Sequence, residues 1–301
     1  MKGGSRRVGS CLAVMAIAVL VTTRAVGAES AARARPEPTR TPAPGKYAAV
    51  NGLNMYYEIM GTGRPLVLLH GGMATLDYSF SSVRPWFAKK WLTIAIEQQG
   101  HGHTADIDRP LTYEQMADDT AALLGRLQVR KADFLGWSDG GNVALAIAIR
   151  HPELVRKLVI SGANYTVGGQ YPEVVQRIRD AQVAALLPPA ADTGPAWLDG
   201  DNWPALVAKL KKLWLEFGGF KAEDLQKIEA PVLIMIGDAD AVRPEHAVQM
   251  FRLLPHAQLA ILPGTGHSTL LQRPGWVVTM AEDFLAAPMP PQPAVSGAIA
   301  R

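Results

Sequence analysis

Short apolar runs alternate along the chain with longer segments in which apolar side chains recur at helical spacing. The short runs predict buried strands, and the longer segments predict helices. Strands that are apolar throughout and separated by helices are typical of a mostly parallel sheet covered on both faces. The predicted strands are a hairpin over Lys46–Met60 and the runs Pro65–His70, Trp91–Glu97, Asp133–Trp137, Val155–Ser161, Pro231–Gly237 and Gln258–Leu262.

One long stretch, Asn164–Ile228, interrupts this alternation because it contains no convincing strand. Pro172 marks a helix start there, since proline fits the first turn of a helix. Two amphipathic stripes predict a small helical cap at about 164–228, inserted between two strands of the sheet. The stripes consist of Val174, Ile178, Ala181 and Ala185, and of Trp203, Leu206, Val207, Leu210, Leu213, Trp214 and Phe217.

The amino-terminal segment 1–28 has the three parts of a secretory signal. The basic residues Lys2, Arg6 and Arg7 precede an apolar core of ten residues, Leu12–Val21, and small residues allow cleavage after Ala28. The core is shorter than the roughly 18 residues that a spanning helix requires. We therefore expect this segment to be removed and the mature protein to be periplasmic or secreted, without membrane attachment.

Charge and cysteine content narrow the function further. The chain has 30 Lys and Arg against 27 Asp and Glu, a net charge of +3, and four of the cations lie within 1–28. The rest of the chain is slightly acidic, so a basic surface for nucleic acid is not supported. Cys11 is the only cysteine and would leave with the leader. A mature chain without it has no disulfide, cysteine nucleophile or cysteine-held metal.

Proline-rich composition marks both ends of the folded unit. Residues 29–46 predict a linker, and residues 288–301 predict a disordered tail, since neither has the apolar content of a core. The remaining residues, 47–287, suit a single α/β domain that contains the cap.

The segment Gly136-Trp137-Ser138-Asp139-Gly140-Gly141 fits the pattern G-x-S-x-G. An apolar strand precedes it and the apolar segment Asn142–Ile149 predicts a buried helix after it. In this context the pattern indicates a sharp strand-to-helix turn that presents the serine above the sheet. A serine hydroxyl needs a base, usually histidine, and that histidine needs an orienting carboxylate.

The expected order of serine, acid and histidine along the chain selects candidates for the other two roles. His267, in a glycine-rich loop after the last predicted strand, is the candidate base. Asp238 and Asp240 both follow the preceding strand. We favour Asp240 as the acid and expect Asp238 to cap or orient the loop. Three other histidines are not expected to act as the base. His151 is expected to be structural, and His246 and His256 are assigned no role.

Acyl transfer also needs hydrogen-bond donors for the developing oxyanion. We expect one from the backbone N–H of Asp139 and one from Gly72, with Met73 as the alternative and a simple tight turn as the other interpretation of the glycine pair. The Asp139 carboxylate could attract a substrate ammonium group or could form only local hydrogen bonds. Met73, Trp137 and Tyr165 are further candidates for substrate contact.

These segments resemble the α/β-hydrolase superfamily, and the motifs are most similar to its valacyclovir-hydrolase-like branch. The resemblance implies the α/β-hydrolase fold, a mostly parallel eight-stranded sheet with helices on both faces and a small helical cap. It also implies a cofactor-free hydrolase of small esters, amides or lactones, with Asp240 as the acid. The matching pieces are His70-Gly71-Gly72, Gly100-His101-Gly102, Gly136 to Gly141, Gly237 to Asp240 and Gly266-His267.

The loop after the fourth predicted strand departs from the family pattern. Many relatives have Asp-x-Arg-Gly-x-Gly there, whereas this chain has Glu97-Gln98-Gln99-Gly100-His101-Gly102 and lacks the arginine. His101 and His103 have no clear third or fourth partner for a metal ion, so no metal is expected.

The sequence thus predicts a secreted or periplasmic serine hydrolase that acts on small carboxylic esters. One alternative is a carbon–carbon bond hydrolase of ring-cleavage diketones with the same triad, which export disfavours. Another is a binding protein that keeps the fold without turnover. The sequence does not indicate the oligomeric state.

Overall fold

In the computed structural model, which describes residues 45–182 and 203–288, one eight-stranded sheet runs through the molecule. The strand order is β1-β2-β4-β3-β5-β6-β7-β8. The first hairpin is antiparallel and β2 pairs antiparallel with β4, whereas all other pairs are parallel. The strands are β1 Lys46–Val50, β2 Leu53–Met60, β3 Arg64–Leu69, β4 Trp91–Ile96, β5 Ala132–Trp137, β6 Val155–Ser161, β7 Val232–Gly237 and β8 Ala257–Leu262.

Helices cover both faces of the sheet, which explains why the central strands are apolar throughout. One apolar cluster joins the sheet to α3, α4 and α8, and a second joins its other face to α1, α2 and α10. The helices are α1 Leu76–Phe80, α2 Arg84–Phe87, α3 Tyr113–Arg126, α4 Asp139–Arg150, α5 Pro172–Asp180, α6 Trp203–Glu216, α7 Ala222–Leu225, α8 Pro244–Leu253, α9 Thr269–Gln272 and α10 Pro274–Ala286.

The predicted fold class is confirmed, because each predicted strand segment overlaps one strand of this sheet and the hairpin supplies two. In the described part of 164–228 the chain forms α5, α6, α7 and a 3₁₀ turn at Val167–Gly169, with one isolated bridge between Gln170 and Val242. Helix α6 carries the second predicted apolar stripe, and Leu206, Val207, Leu210 and Leu213 are buried.

Several predictions fall on other parts of the chain. The segment 1–28, the linker up to residue 44, the tail from residue 289 and cap residues 183–202 lie outside the described residues. No described helix combines the length and the hydropathy that crossing a membrane requires.

Candidate active site

Ser138 lies at a sharp turn between β5 and α4. Its backbone has φ 55° and ψ −123°, a strained conformation for a residue with a side chain. A Cβ on Gly136 would overlap the carbonyl oxygen of Gly140, and a Cβ on Gly140 would overlap that of Leu69. The G-x-S-x-G spacing therefore follows from close backbone packing, which holds the serine at the carboxyl edge of the sheet.

The Ser138 hydroxyl is the first of three groups joined by hydrogen bonds. Its Oγ lies 2.9 Å from Nε2 of His267, and Nδ1 of His267 lies 2.7 Å from Oδ1 of Asp240. With the Nδ1 proton donated to the carboxylate, Nε2 is free to accept from the serine. The three residues follow β5, β7 and β8, whose carboxyl ends meet at one edge of the sheet. The arrangement has the form of a nucleophile, base and acid.

The two candidate carboxylates have separate surroundings. Asp240 is buried and also accepts a hydrogen bond from the backbone N–H of Val242 at 3.0 Å. Asp238 is exposed and accepts from the backbone N–H groups of Gly264 and Thr265 at 3.0 and 3.1 Å, which lower its pKa. The structure thus places Asp240 against His267, while Asp238 shapes the loop that carries this histidine.

Neighbouring groups hold His267 in place and raise the pKa of its imidazole. The indole N–H of Trp137 donates to the His267 carbonyl oxygen at 2.8 Å. Burial lowers the pKa of the imidazole, but the carboxylates of Asp240 and Asp139 outweigh burial, so its pKa is raised overall. This environment favours the imidazolium form that a general base adopts after it has taken a proton.

The predicted oxyanion donors lie beside the serine. The N–H of Asp139 opens α4 and belongs to the first turn, whose N–H groups have no partner inside a helix. The loop of Gly71 and Gly72 is close by, because a Cβ on Gly71 would lie 3.2 Å from Cβ of Ser138. Met73, and not the glycine before it, has the left-handed backbone of this loop, with φ 55°.

The Asp139 carboxylate is buried and receives two donors that the sequence did not single out as its partners. The Tyr113 hydroxyl donates to Oδ1 at 2.8 Å, and the indole N–H of Trp214 donates to Oδ2 at 2.8 Å. Burial raises the pKa of Asp139, while these two hydrogen bonds counteract the rise. Among the described residues it has no Lys or Arg partner in an ion pair.

The other predicted substrate contacts have structural neighbours of their own. Trp137 is 4% exposed and lies in the apolar cluster under α1 and α10. The backbone N–H of Tyr165 donates to Nε2 of His246 at 3.1 Å, and the two rings stack at 4.2 Å. Met73 packs at the border of the other apolar cluster. Contact of these residues with substrate stays a prediction.

Buried histidine and glutamine side chains anchor the loops around the site. The N–H of Gln98 donates to Nε2 of His70 at 3.0 Å, which leaves Nδ1 to donate to the Gly71 carbonyl oxygen. Gln99 stands where many relatives have arginine, and its amide donates to Asp106 at 2.7 Å and accepts from Arg109 at 2.6 Å. The side-chain amide of Gln99 therefore joins Asp106 and Arg109 of this loop at the position where many relatives have the arginine.

The histidines of the same loop are used in local contacts. His101 packs against the ring of His70 with centroids 4.7 Å apart, and Nδ1 of His103 lies 2.9 Å from Glu97. In the described ranges no group of three or more His, Cys, Asp or Glu side chains could hold a metal ion.

Comparison with known proteins identifies the class that this fold and site define. The model of the alpha/beta hydrolase family matches residues 66–280. The chain belongs to this family.

The relatives that this chain resembles carry the names of more than one kind of hydrolase. The chain is 30% identical over 254 residues to the serine hydrolase BPHL of Homo sapiens, a match that covers 79% of this chain and 84% of the relative. It is 24% identical to 2-hydroxymuconate semialdehyde hydrolase of Pseudomonas sp. strain CF600, over 83% of this chain and 96% of that protein.

A solved structure supports the same fold. The meta-cleavage product hydrolase of Pseudomonas fluorescens IP01 superposes with a TM-score of 0.71 at 18% identity, over 81% of this chain and 98% of the other. At this identity the likeness bears on the fold alone.

Proposed function

We propose that this hydrolase cleaves small carboxylic esters, or related amides or lactones, through an acyl-enzyme on Ser138. The hydrogen-bonded chain from Ser138 through His267 to Asp240 carries the proposal. His267 removes the serine proton as Oγ attacks the carbonyl carbon, and Asp240 stabilises the imidazolium. The N–H groups of Asp139 and Gly72 bind the oxyanion. His267 then protonates the leaving group and activates the water that releases the acid.

The same geometry serves a second candidate reaction. A carbon–carbon bond hydrolase would use this triad on a ring-cleavage diketone, and similarity to 2-hydroxymuconate semialdehyde hydrolase favours that chemistry. Export disfavours it, because catabolism of ring-cleavage products is expected inside the cell.

We propose that residues 1–28 direct the protein to the periplasm or the medium and are then removed. The mass of the mature protein tests this, since an intact amino terminus would contradict it.

The buried Asp139 carboxylate supports a narrower substrate class within the esters. A negative charge next to the oxyanion site opposes the developing negative charge of a neutral ester. A substrate ammonium group would reverse this effect, so we propose that amino-acid esters are favoured. Comparing kcat/KM for an alanine ester with that for its deaminated analogue tests the point. Equal values would show that Asp139 has no such role.

The ester-hydrolase proposal is tested with a series of p-nitrophenyl esters of increasing acyl length. We expect turnover of the short esters and its loss in Ser138→Ala. Rapid cleavage of a ring-cleavage diketone without ester turnover would favour the second candidate. Tight binding of esters without turnover of either substrate would favour a binding protein.

A further inference from the structure

A continuous set of contacts leads from cap helix α6 to the glycine loop beside Ser138. Trp214 of α6 donates its indole N–H to Oδ2 of Asp139 at 2.8 Å. A Cβ on Gly72 would overlap this same oxygen and would lie 2.8 Å from Cζ2 of Trp214. The carboxylate and the indole therefore both pack directly on the backbone of Gly72.

The Asp139 side chain is fixed from two helices at once. The Tyr113 hydroxyl of α3 donates to its other oxygen at 2.8 Å. The Tyr113 ring in turn meets the ring of Phe217, just after α6, edge to face with centroids 4.7 Å apart. Asp139 is only 8% exposed, so protein groups and not solvent set the direction of its carboxylate.

A second attachment fixes helix α6 on the sheet domain. Nζ of Lys209 lies 2.7 Å from the Asp106 carboxylate and donates to the carbonyl oxygen of Ile107 at 2.7 Å. Lys209 and Trp214 are on the same helix, five positions apart along the chain. The first side chain attaches the helix to the loop after β4, and the second reaches the candidate active site.

We infer that Trp214 and Asp139 are positioning residues that hold the Gly71–Gly72 loop against Ser138, so that docking of α6 sets the oxyanion site. The inference rests on the proposed serine-hydrolase function. It differs from binding of a substrate ammonium group, because a correctly placed loop assists every acyl substrate, charged or neutral.

The test is the rate at which a neutral fluorophosphonate labels Ser138 in Trp214→Phe, which keeps an aromatic ring at this position but removes the N–H donor. We expect labelling to slow by about tenfold or more, because a small displacement of a catalytic donor is costly. For a neutral p-nitrophenyl ester, kcat should fall by a similar factor while KM changes less. Trp276→Phe, the same change at an exposed position of α10, is the matched control and should label as the wild type does.

Two further variants distinguish an effect on the position of the Gly71–Gly72 loop from a general loss of folded protein. Asp139→Asn combined with Trp214→Phe should slow labelling no more than the slower single variant, since both changes act on one contact. Tyr113→Phe removes the hydroxyl that donates to the other Asp139 oxygen. If Trp214→Phe does not fold, Tyr113→Phe takes its place in the test. Wild-type labelling rates in both donor variants, or effects confined to ammonium esters, would overturn the inference. A wild-type protein that is folded but unlabelled would instead contradict the proposed function.

Discussion

Asp238 and Asp240 lie in one loop, two residues apart, and their surroundings assign them different roles. Asp240 is buried beneath the imidazole of His267, whereas Asp238 binds backbone N–H groups of the histidine loop from an exposed position. The two positions form a natural pair for mutagenesis, because the same change at each removes one negative charge from the same loop.

Asp240→Asn is expected to lower kcat by about 10⁴-fold, because an amide favours the wrong imidazole tautomer and no longer stabilises the imidazolium. Asp238→Asn should change kcat by less than about tenfold, since it weakens only a loop contact. Ester hydrolysis by both purified variants gives the comparison. Equal losses of kcat in the two variants would mean that Asp240 does not assist His267 in catalysis.

The pH dependence of kcat/KM reports the charge state of His267. The base must be neutral to accept a proton, so activity rises as pH rises through its pKa, and the raised pKa places this limb above about 6.5. The Asp139 carboxylate contributes to that rise. Asp139→Asn should therefore move the acidic limb to lower pH. A limb that stays in place or moves upward would contradict the electrostatic assignment.

Among single residues, the sequence indicates the candidate reacting groups better than the side chains that support them. Ser138, Asp240 and His267 could be predicted because turn chemistry and chain order restrict them to a few positions. Tyr113 and Trp214 look like ordinary apolar positions of two amphipathic helices. Their polar atoms meet Asp139 only through the docking of those helices, which no local pattern records.

In the loop after β3, a glycine is required because neighbouring side chains fill the space of a Cβ, and not because its backbone is left-handed. Gly72 has no left-handed backbone, yet its missing side chain is the space that the Asp139 carboxylate and the Trp214 indole occupy. At Gly125, near the end of α3, no described atom beyond the neighbouring residues and the helix's own backbone lies within 4 Å of the Cβ position. Replacing glycine with alanine should therefore disturb the packing at position 72 but not at position 125.

Gly72→Ala should displace Asp139 and Trp214 and lower kcat by about tenfold or more. Gly125→Ala should leave kcat unchanged and raise the free energy of unfolding by about 0.5 kcal/mol, because alanine costs less backbone entropy in a helix. Ester kinetics and urea unfolding of both variants provide the test. An active Gly72→Ala protein would refute the packing argument.

The elements themselves follow closely from the sequence pattern. Central strands such as β5 and β7 are buried on both faces, so their apolar runs are unambiguous. The pattern also predicts α6 from its apolar stripe. It does not reveal that Lys209, on the polar side of that stripe, binds Asp106, because this ion pair joins residues far apart in the chain.

For the whole molecule, three buried histidines link stability to pH. Burial lowers the pKa of His70 to about 3 and those of His101 and His246 to about 4. The unfolded chain binds these protons near pH 6.5, so below that pH it holds more protons than the folded state. Stability is fully present above about pH 6.5 and falls towards pH 4, by at most about 1.4 kcal/mol per pH unit for each histidine.

His246→Gln isolates one of these contributions, since glutamine can still accept from the Tyr165 N–H. The variant should lose less unfolding free energy than the wild type between pH 7 and pH 5, as measured by urea unfolding at each pH. Parallel curves for the two proteins would mean that His246 does not titrate differently in the folded and unfolded states.

The chain as a whole could be assigned to its fold from sequence, because alternating strands and helices leave few ways to bury the apolar surface. The substrate could not, since it depends on how cap and loops meet around Ser138. The export of the protein and the processing of residues 1–28 stay predictions.

The central claim is that Ser138 is an activated nucleophile. Treating the purified protein with a fluorophosphonate and locating the adduct by mass spectrometry tests it without knowledge of the substrate. We predict one adduct, on Ser138, that is absent from Ser138→Ala. A folded protein that acquires no adduct, or acquires one elsewhere, would contradict the account.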